Sequence, residues 1–379
     1  MFIRITNTTR DYGWGSATAI AGLMGRPASG RPEAELWLGS HPGSPSTVVD
    51  STQTGGHETL EGWIDLPFLL KILAAASPLS LQAHPTADQA QAGFARENEA
   101  GIPIDAPHRN YRDSSAKPEL IVALVDGFEA LCGFRDAAAA REIFELIAHR
   151  GEGPAFQPLL ERLSGADPVR STFEWLVAHE RGELAVLDNL CSAAADAEGT
   201  DHDRDEFAVV RRLAEHYPGD AGIAVSVLLN HVRLDAGEAL FLPAGNIHCY
   251  LTGVGVELMG PSDNVLRGGL TPKHVDVAEL LRVLDFTPGP VPYLHPAPSG
   301  CAAIYRPQGA DIALARLAGG QARLTLGGPA IVLCDGSGLR VDGADSSTEL
   351  ARGEAILVTD ESELTLSGGS GFAAASALD

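Results

Sequence analysis

At 379 residues the chain exceeds what one ordinary hydrophobic core organises, so two or three domains are expected. Hydrophobic residues make up 45%, and 42 Gly with 24 Pro suit a turn-rich β architecture better than a helical bundle. A formal net charge of −23 excludes broad contact with nucleic acid or an anionic membrane, although a local group of Lys and Arg can still reverse the field inside one cleft.

The start, Met1-Phe2-Ile3-Arg4, runs into polar sequence without a hydrophobic signal core, and no apolar run reaches the length of a membrane span. Cys132, Cys191, Cys249, Cys301 and Cys334 are scattered and never form a C-x-x-C pair, as expected of reduced, mostly buried thiols in the cytoplasm. Short apolar runs and turns alternate to about Arg135. Leu66 to Ala76 is nearly all apolar and reads as buried. Leu79 to His84 alternates like a strand, Pro85-Thr86 stops it, and Thr86 caps a polar helix through about Glu99. Pro118 to Val125 resumes as an apolar strand.

From Asp136 to about Gly219 the period changes. Ala140, Ile143, Phe144 and Ile147 recur at helical spacing, as do Phe173, Leu176 and Val177, then Phe207, Val210 and Leu213. This stretch reads as a helical insertion, and its His149, His179, His202 and His216 as surface or packing residues. Ile223, Val225, Val227 and Leu229 then alternate as a strand, and hairpins are expected to about Met259. Thr271-Pro272 reads as the cap and first position of a helix through Leu284. Pro288 to Pro298 reads as a linker, and the remainder from Cys301 as β structure with Gly-rich turns.

Within this pattern the run Gly237 to His248 sends a strand into a Pro243-Ala244-Gly245 turn and places His248 at the start of the returning strand. Small β-barrels of the cupin type hang a metal ligand on a hairpin in this way. Residues 232–239 also resemble residues 348–355, both preceding a hydrophobic strand, and Leu364 stands where the first copy has His248. The expected fold is therefore mainly β with a helical insertion: two cupin-like jelly-roll barrels plus an α-helical domain. Residues 1–135 and 220–287 would form the metal-bearing barrel, 136–219 the helical insertion, and 288–379 a second barrel without metal ligands.

Gln82 and His84 lie two apart on an expected strand, so their side chains share a face. Glu119 follows Lys117-Pro118 at a strand start; with His248 the set offers two imidazoles, a carboxylate and an amide oxygen. Zinc accepts such ligands and a catalytic site keeps a further position open; iron or manganese fits the same donors. With a single anionic ligand the ion keeps net positive charge and stays a strong Lewis acid.

Ser262 to Lys273 is polar and basic. Arg267 offers a fork matched to phosphate or carboxylate, and Lys273 is expected at the start of the next helix, where backbone N–H groups favour anions. A phosphorylated substrate reconciles this loop with an acidic chain. Glu257, a carboxylate inside an apolar strand, is suited to proton transfer if burial raises its pKa; a salt bridge to Arg267 or another cation is the equal alternative.

These segments together resemble the type I mannose-6-phosphate isomerases, the zinc-dependent phosphomannose isomerases of the cupin superfamily. The resemblance rests on Tyr12-Gly13-Trp14-Gly15, Glu35 through Pro42, Leu79 through Pro85, Lys117-Pro118-Glu119, Phe128 through Arg135, and Ser262 through Lys273. It implies one Zn2+ per chain, held by Gln82, His84, Glu119 and His248. It also implies Arg267 as a catalytic residue, with Ser80, Lys117, Glu257 and Lys273 lining a sugar-phosphate cleft. Family members interconvert mannose 6-phosphate and fructose 6-phosphate, so the implied partner is a phosphorylated hexose and the expected state a cytoplasmic monomer.

One departure stands out. Many relatives carry His before the Lys-Pro-Glu segment, where this chain has Ala116, so that His is unavailable as a base and Glu257 or Lys117 is left to carry the proton. Two other classes compete. A cupin oxygenase using Fe(II) would want a His-x-His pair and an apolar pocket, which the basic loop opposes. A sugar-binding cupin without catalysis would not need all four ligands together with Arg267.

Overall fold

The computed structural model describes residues 1–149, 153–179, 185–200 and 204–379; His202 lies outside the described residues. Among these, antiparallel strands build a nine-stranded and a ten-stranded sheet, and helices concentrate between residues 137 and 226. The chain is thus mainly β with a helical stretch.

Strand alternation explains how the sheets meet. Every residue of Leu69–Ala75 is buried, with Leu70, Ile72 and Ala74 entering one core and Leu73 and Ala75 another. Leu120 and Val122 of Glu119–Ala123 join the first core, Ile121 and Ala123 the second. That first core also takes Leu314, Ile331, Leu333, Leu357 and Phe372 from the ten-stranded sheet, so one face of each sheet is buried against the other. Each such fully buried aliphatic side chain contributes about 1.5–3 kcal/mol. The opposite face carries Lys71, Glu119 and Glu257 and lines a cavity.

The long strand His248–Met259 organises the nine-stranded sheet. Its first half pairs with Leu81–Ala83 and Phe128–Phe134, its second with Leu69–Ala75 and Glu119–Ala123. Here the structure differs from the expected hairpin: Glu119–Ala123 lies between Ala239–Leu242 and the long strand and pairs with both. The turn before His248 therefore crosses the sheet end, fixed by Gly245 N–H donating to the His84 carbonyl at 2.8 Å. Gly245 has φ +81°, which suits glycine.

Three further expectations are corrected. Gly222–Ser226 is a short helix, not a strand; all its residues are buried, so its apparent alternation reflects burial on every side rather than a two-residue period. The helix near residue 280 runs Val277–Val283 and is capped by Asp276, whose side chain accepts from Glu279 N–H at 3.0 Å, so Lys273 precedes the helix rather than opening it. The Pro288–Pro298 segment also pairs with a strand, Phe241 N–H donating to Pro292 O at 3.0 Å and Leu294 N–H to Ala239 O at 2.8 Å. Proline lacks a donor but not an acceptor, so a Pro-rich segment can still serve an edge.

The Thr86 cap holds in full. Thr86 Oγ1 accepts from Gln89 N–H at 3.2 Å, Gln89 Oε1 accepts from Thr86 N–H at 2.9 Å, and the helix runs Ala87–Glu99. The internal repeat is also structural at its turn. Glu238 and Glu354 each accept from the backbone N–H three residues earlier at 2.8 Å, and Gly237 and Gly353 sit at φ +93° and +82°.

Candidate metal centre

Four side chains from three separate segments converge where the long strand begins. Gln82 is the cross-strand partner of His248, and their side-chain nitrogens lie 3.3 Å apart. Turning the Gln82 amide over exchanges Nε2 for Oε1 at the same point. His84 Nε2 lies 3.2 Å from Glu119 Oε1, and His248 Nε2 lies 3.2 Å from Glu119 Oε2. His84, Glu119 and His248 are almost wholly buried, and their ligand atoms fall within 4.8 Å of one another.

Proton accounting shows what this cluster lacks. His84 Nδ1–H donates to the Asn264 carbonyl at 2.8 Å and His248 Nδ1–H to the Asn246 carbonyl at 3.0 Å. In a neutral imidazole the other nitrogen then carries a lone pair. Burial pushes the His84 imidazole down to about 4, so it is neutral at ordinary pH. Burial alone would raise Glu119, but neighbouring positive charge, Lys117 first, holds the carboxyl well below the usual range. Two lone pairs therefore face one carboxylate, acceptor against acceptor, and His84 Nε2 and Glu119 Oε2 have no hydrogen-bond partner. A divalent cation satisfies these atoms together, and a nitrogen–oxygen donor set of this kind fits zinc. The Nδ1–H bonds to carbonyls are the outer contacts that orient metal-binding histidines.

Beside the cluster opens a cavity of about 340 Å³. Gln82 and Glu119 line it together with Ser80, Lys117, Glu257, Arg267 and Lys273, so the structure gathers the expected residues around one space. Lys117 Nζ lies 3.0 Å from Glu119 Oε1. Arg267 donates to Ser80 Oγ at 2.8 Å; burial and the Arg112 charge lower its pKa. Arg267, then burial, then Arg112 lower that of Lys273. This end of the cavity is thus cationic, within a chain of net charge −23.

Glu257 makes its ion pair with Lys71, not Arg267. Lys71 Nζ lies 3.4 Å from Glu257 Oε2, and Tyr250 O–H donates to Glu257 Oε1 at 2.9 Å. Burial raises the Glu257 pKa, and the Lys71 charge only partly offsets this. Lys71 is itself buried, 3.8 Å from Glu35 Oε1 and 4.7 Å from the Trp37 ring centre, and Trp37 Nε1–H donates to Glu35 at 2.7 Å. Burial favours neutral Lys71, but Glu35 and Glu257 outweigh it and raise the ammonium pKa.

Glu35, Lys71, Trp37 and Tyr250 are cavity residues that sequence reading passed over. One signal was available: Lys71 interrupts the apolar run Leu66 to Ala76, and a buried lysine demands an acidic partner.

Residues 2–137 match the family described as phosphomannose isomerase type I, catalytic domain. Mannose-6-phosphate isomerase of Escherichia coli strain K12 is 37% identical over 311 residues, covering 78% of either chain. The human protein of the same name is 31% identical over 322 residues, covering 74% of this chain and 72% of its own. A crystal structure of mannose 6-phosphate isomerase bound with zinc and yttrium has a TM-score of 0.86 at 33% identity and covers 99% of both chains. The apo form of mannose 6-phosphate isomerase from Salmonella typhimurium has a TM-score of 0.86 at 33% identity, covering 99% of this chain and 98% of its own. With identity this high over more than two thirds of both chains, and the cation-demanding cluster beside a basic cavity, the chain belongs to the type I mannose-6-phosphate isomerases.

Proposed function

We propose that this isomerase holds one zinc ion through Gln82, His84, Glu119 and His248 and uses Glu257 and Arg267 beside it to interconvert mannose 6-phosphate and fructose 6-phosphate. The observation that carries the reading is the Glu119 carboxylate facing two imidazole lone pairs at 3.2 Å next to a cavity with a cationic end.

Aldose–ketose exchange removes a proton from the carbon beside a carbonyl and returns it to the neighbouring carbon through an enediol or enediolate. When bound, zinc supplies Lewis acidity beside the reacting oxygens. Arg267, steadied by Ser80, offsets the negative charge that develops there. Glu257 carries the proton: burial raises its pKa toward the working range, and Lys71 and Tyr250 hold one oxygen each. Lys117 is tied to Glu119 and steadies that carboxylate. Lys273, with Arg112 near it, takes the phosphate, which relieves the mutual repulsion of these cations.

Purified protein incubated with mannose 6-phosphate should form fructose 6-phosphate, and a chelator should abolish this until zinc is restored. Turnover that persists after the metal is stripped sinks the reading.

The finer architecture follows the same reading: residues 1–135 and 220–287 carry the metal-bearing cupin-like barrel, 136–219 a helical insertion, and 288–379 a second barrel, to whose ten-stranded sheet Phe2–Thr6 and Thr47–Val48 also add. The matching turns at Gly237 and Gly353 support it. A cytoplasmic monomer completes the reading; among the described residues no helix is long and apolar enough to cross a membrane.

A further inference from the structure

We infer that Asn264 is a positioning residue for the metal: one buried asparagine anchors both His84 and the loop that delivers Lys117 and Glu119. The inference rests on the metal-centre reading above and extends it to residues that touch neither ion nor substrate.

Asn264 is fully buried in the segment between strands His248–Met259 and Leu266–Gly269. Its backbone carbonyl accepts the His84 Nδ1–H at 2.8 Å, which leaves the Nε2 lone pair facing Glu119. Its side chain faces the 112–115 loop. Oδ1 accepts from Arg112 N–H at 2.7 Å and Asp113 N–H at 3.2 Å. Nδ2 donates to the Asp113 carbonyl at 2.9 Å, to Asp113 Oδ1 at 3.2 Å and to the Ser115 carbonyl at 3.0 Å.

Asp113 closes the knot. Its Oδ1 accepts from Ser115 N–H at 2.9 Å and Ser262 O–H at 2.8 Å, and its Oδ2 from Asp263 N–H at 2.9 Å. Four residues past Asp113 stands Lys117, then Pro118, whose ring limits the backbone, then Glu119. A shift of the knot therefore moves the His84 acceptor and the Glu119 carboxylate relative to one another. Ordinary loop packing needs no side chain that satisfies both its donor and its acceptor on one four-residue segment while its own carbonyl orients a metal ligand. Outer contacts of this kind change metal affinity about 10–100-fold when lost.

The test is zinc affinity of the full-length chain, measured by competition with a chromophoric chelator, with unfolding of the zinc-free protein followed alongside. Asn264→Asp keeps the acceptor for Arg112 N–H but sets a carboxylate against Asp113 and removes the Nδ2 donor. Its zinc dissociation constant should rise at least about 10-fold, and activity should recover as zinc is added. Asp113→Asn, at a half-buried position, should weaken zinc in the same direction and carries the test if Asn264→Asp does not fold. A merely structural role would lower the unfolding temperature and leave zinc affinity within about twofold of wild type; that result overturns the inference. A wild-type chain that takes up no zinc sinks the metal-centre reading and this inference with it. Tight wild-type binding with unaltered variants sinks this inference alone.

Discussion

In the proposed mechanism His248 and Arg267 lie on either side of the line between holding an ion and using it. His248 contributes a buried lone pair 3.2 Å from Glu119, whereas Arg267, the cross-strand partner of Gln82, sends its side chain to Ser80 and the cavity. Replacing His248 by Ala should lower bound zinc and activity together. Arg267→Ala should keep zinc, by elemental analysis, and lower turnover about 10²–10³-fold, the scale of losing one preorganised electrostatic contact. Normal turnover in Arg267→Ala would remove its catalytic role.

The same cluster sets a pH dependence. His84 titrates near 6.5 in an unfolded chain and at about 4 when buried. A depressed folded value means that the unfolded state binds the proton first as pH falls. The stability is therefore intact above about pH 7 and drains away between 6.5 and 4; Glu119, also depressed, adds in the same direction at lower pH. Chelated protein should lose about 2 kcal/mol between pH 7 and pH 5 from His84 alone, read by urea unfolding. His84→Asn should flatten that slope. The proposed ligands were legible as candidates because strand alternation and segment resemblance name them. Lys71 showed only as a break in an apolar run; its partners Glu35 and Glu257 were not legible, because each is far away in sequence and adjacent only through strand register.

Among the elements, the long strand shows what sequence period alone does not reveal. Tyr250 and Glu257 are seven residues apart yet hydrogen-bond on one face, although simple alternation would send them to opposite faces. The register supplies the reason: Tyr250 faces Ala130 and Thr252 faces Glu129, so Leu251 is an extra residue, a bulge that switches the parity. Deleting Leu251 should therefore turn His248 and Tyr250 away from Glu257 and abolish zinc binding. Leu251→Ala keeps the residue count and should keep zinc, at a stability cost of about 2–5 kcal/mol for its buried side chain. Zinc retained in the deletion would refute the parity argument. Elements decided locally were readable in advance, as the Thr86 capping box shows. The bulge, the Gly222–Ser226 helix and the strand inserted beside Ala239–Leu242 depend on distant partners, which no local period encodes.

For the whole molecule, the order of the proposed ligands along the chain matters more than their distances. Gln82, His84 and Glu119 precede the helical stretch and His248 follows it, so an ion joining them closes a loop that contains all of that stretch. Several ties already bring the two sides together: the long strand pairs with elements from before the helices, and Glu129 on Phe128–Phe134 binds Arg212 of helix Asp205–His216 and Arg233 of the strand after it. The metal adds to these by binding only the folded arrangement, because the four donors are separated in an unfolded chain. Zinc at about 1,000 times its dissociation constant should then raise stability by about 4 kcal/mol, or several degrees in unfolding temperature for a chain of this size. Calorimetry of the full chain with and without chelator measures this. The gain should be absent in His248→Ala, which severs the closure on one side of the helices, and present in Arg267→Ala, which leaves it intact. An equal gain in His248→Ala would mean that the stabilising ion sits elsewhere than at the strand start where the two imidazoles meet Glu119.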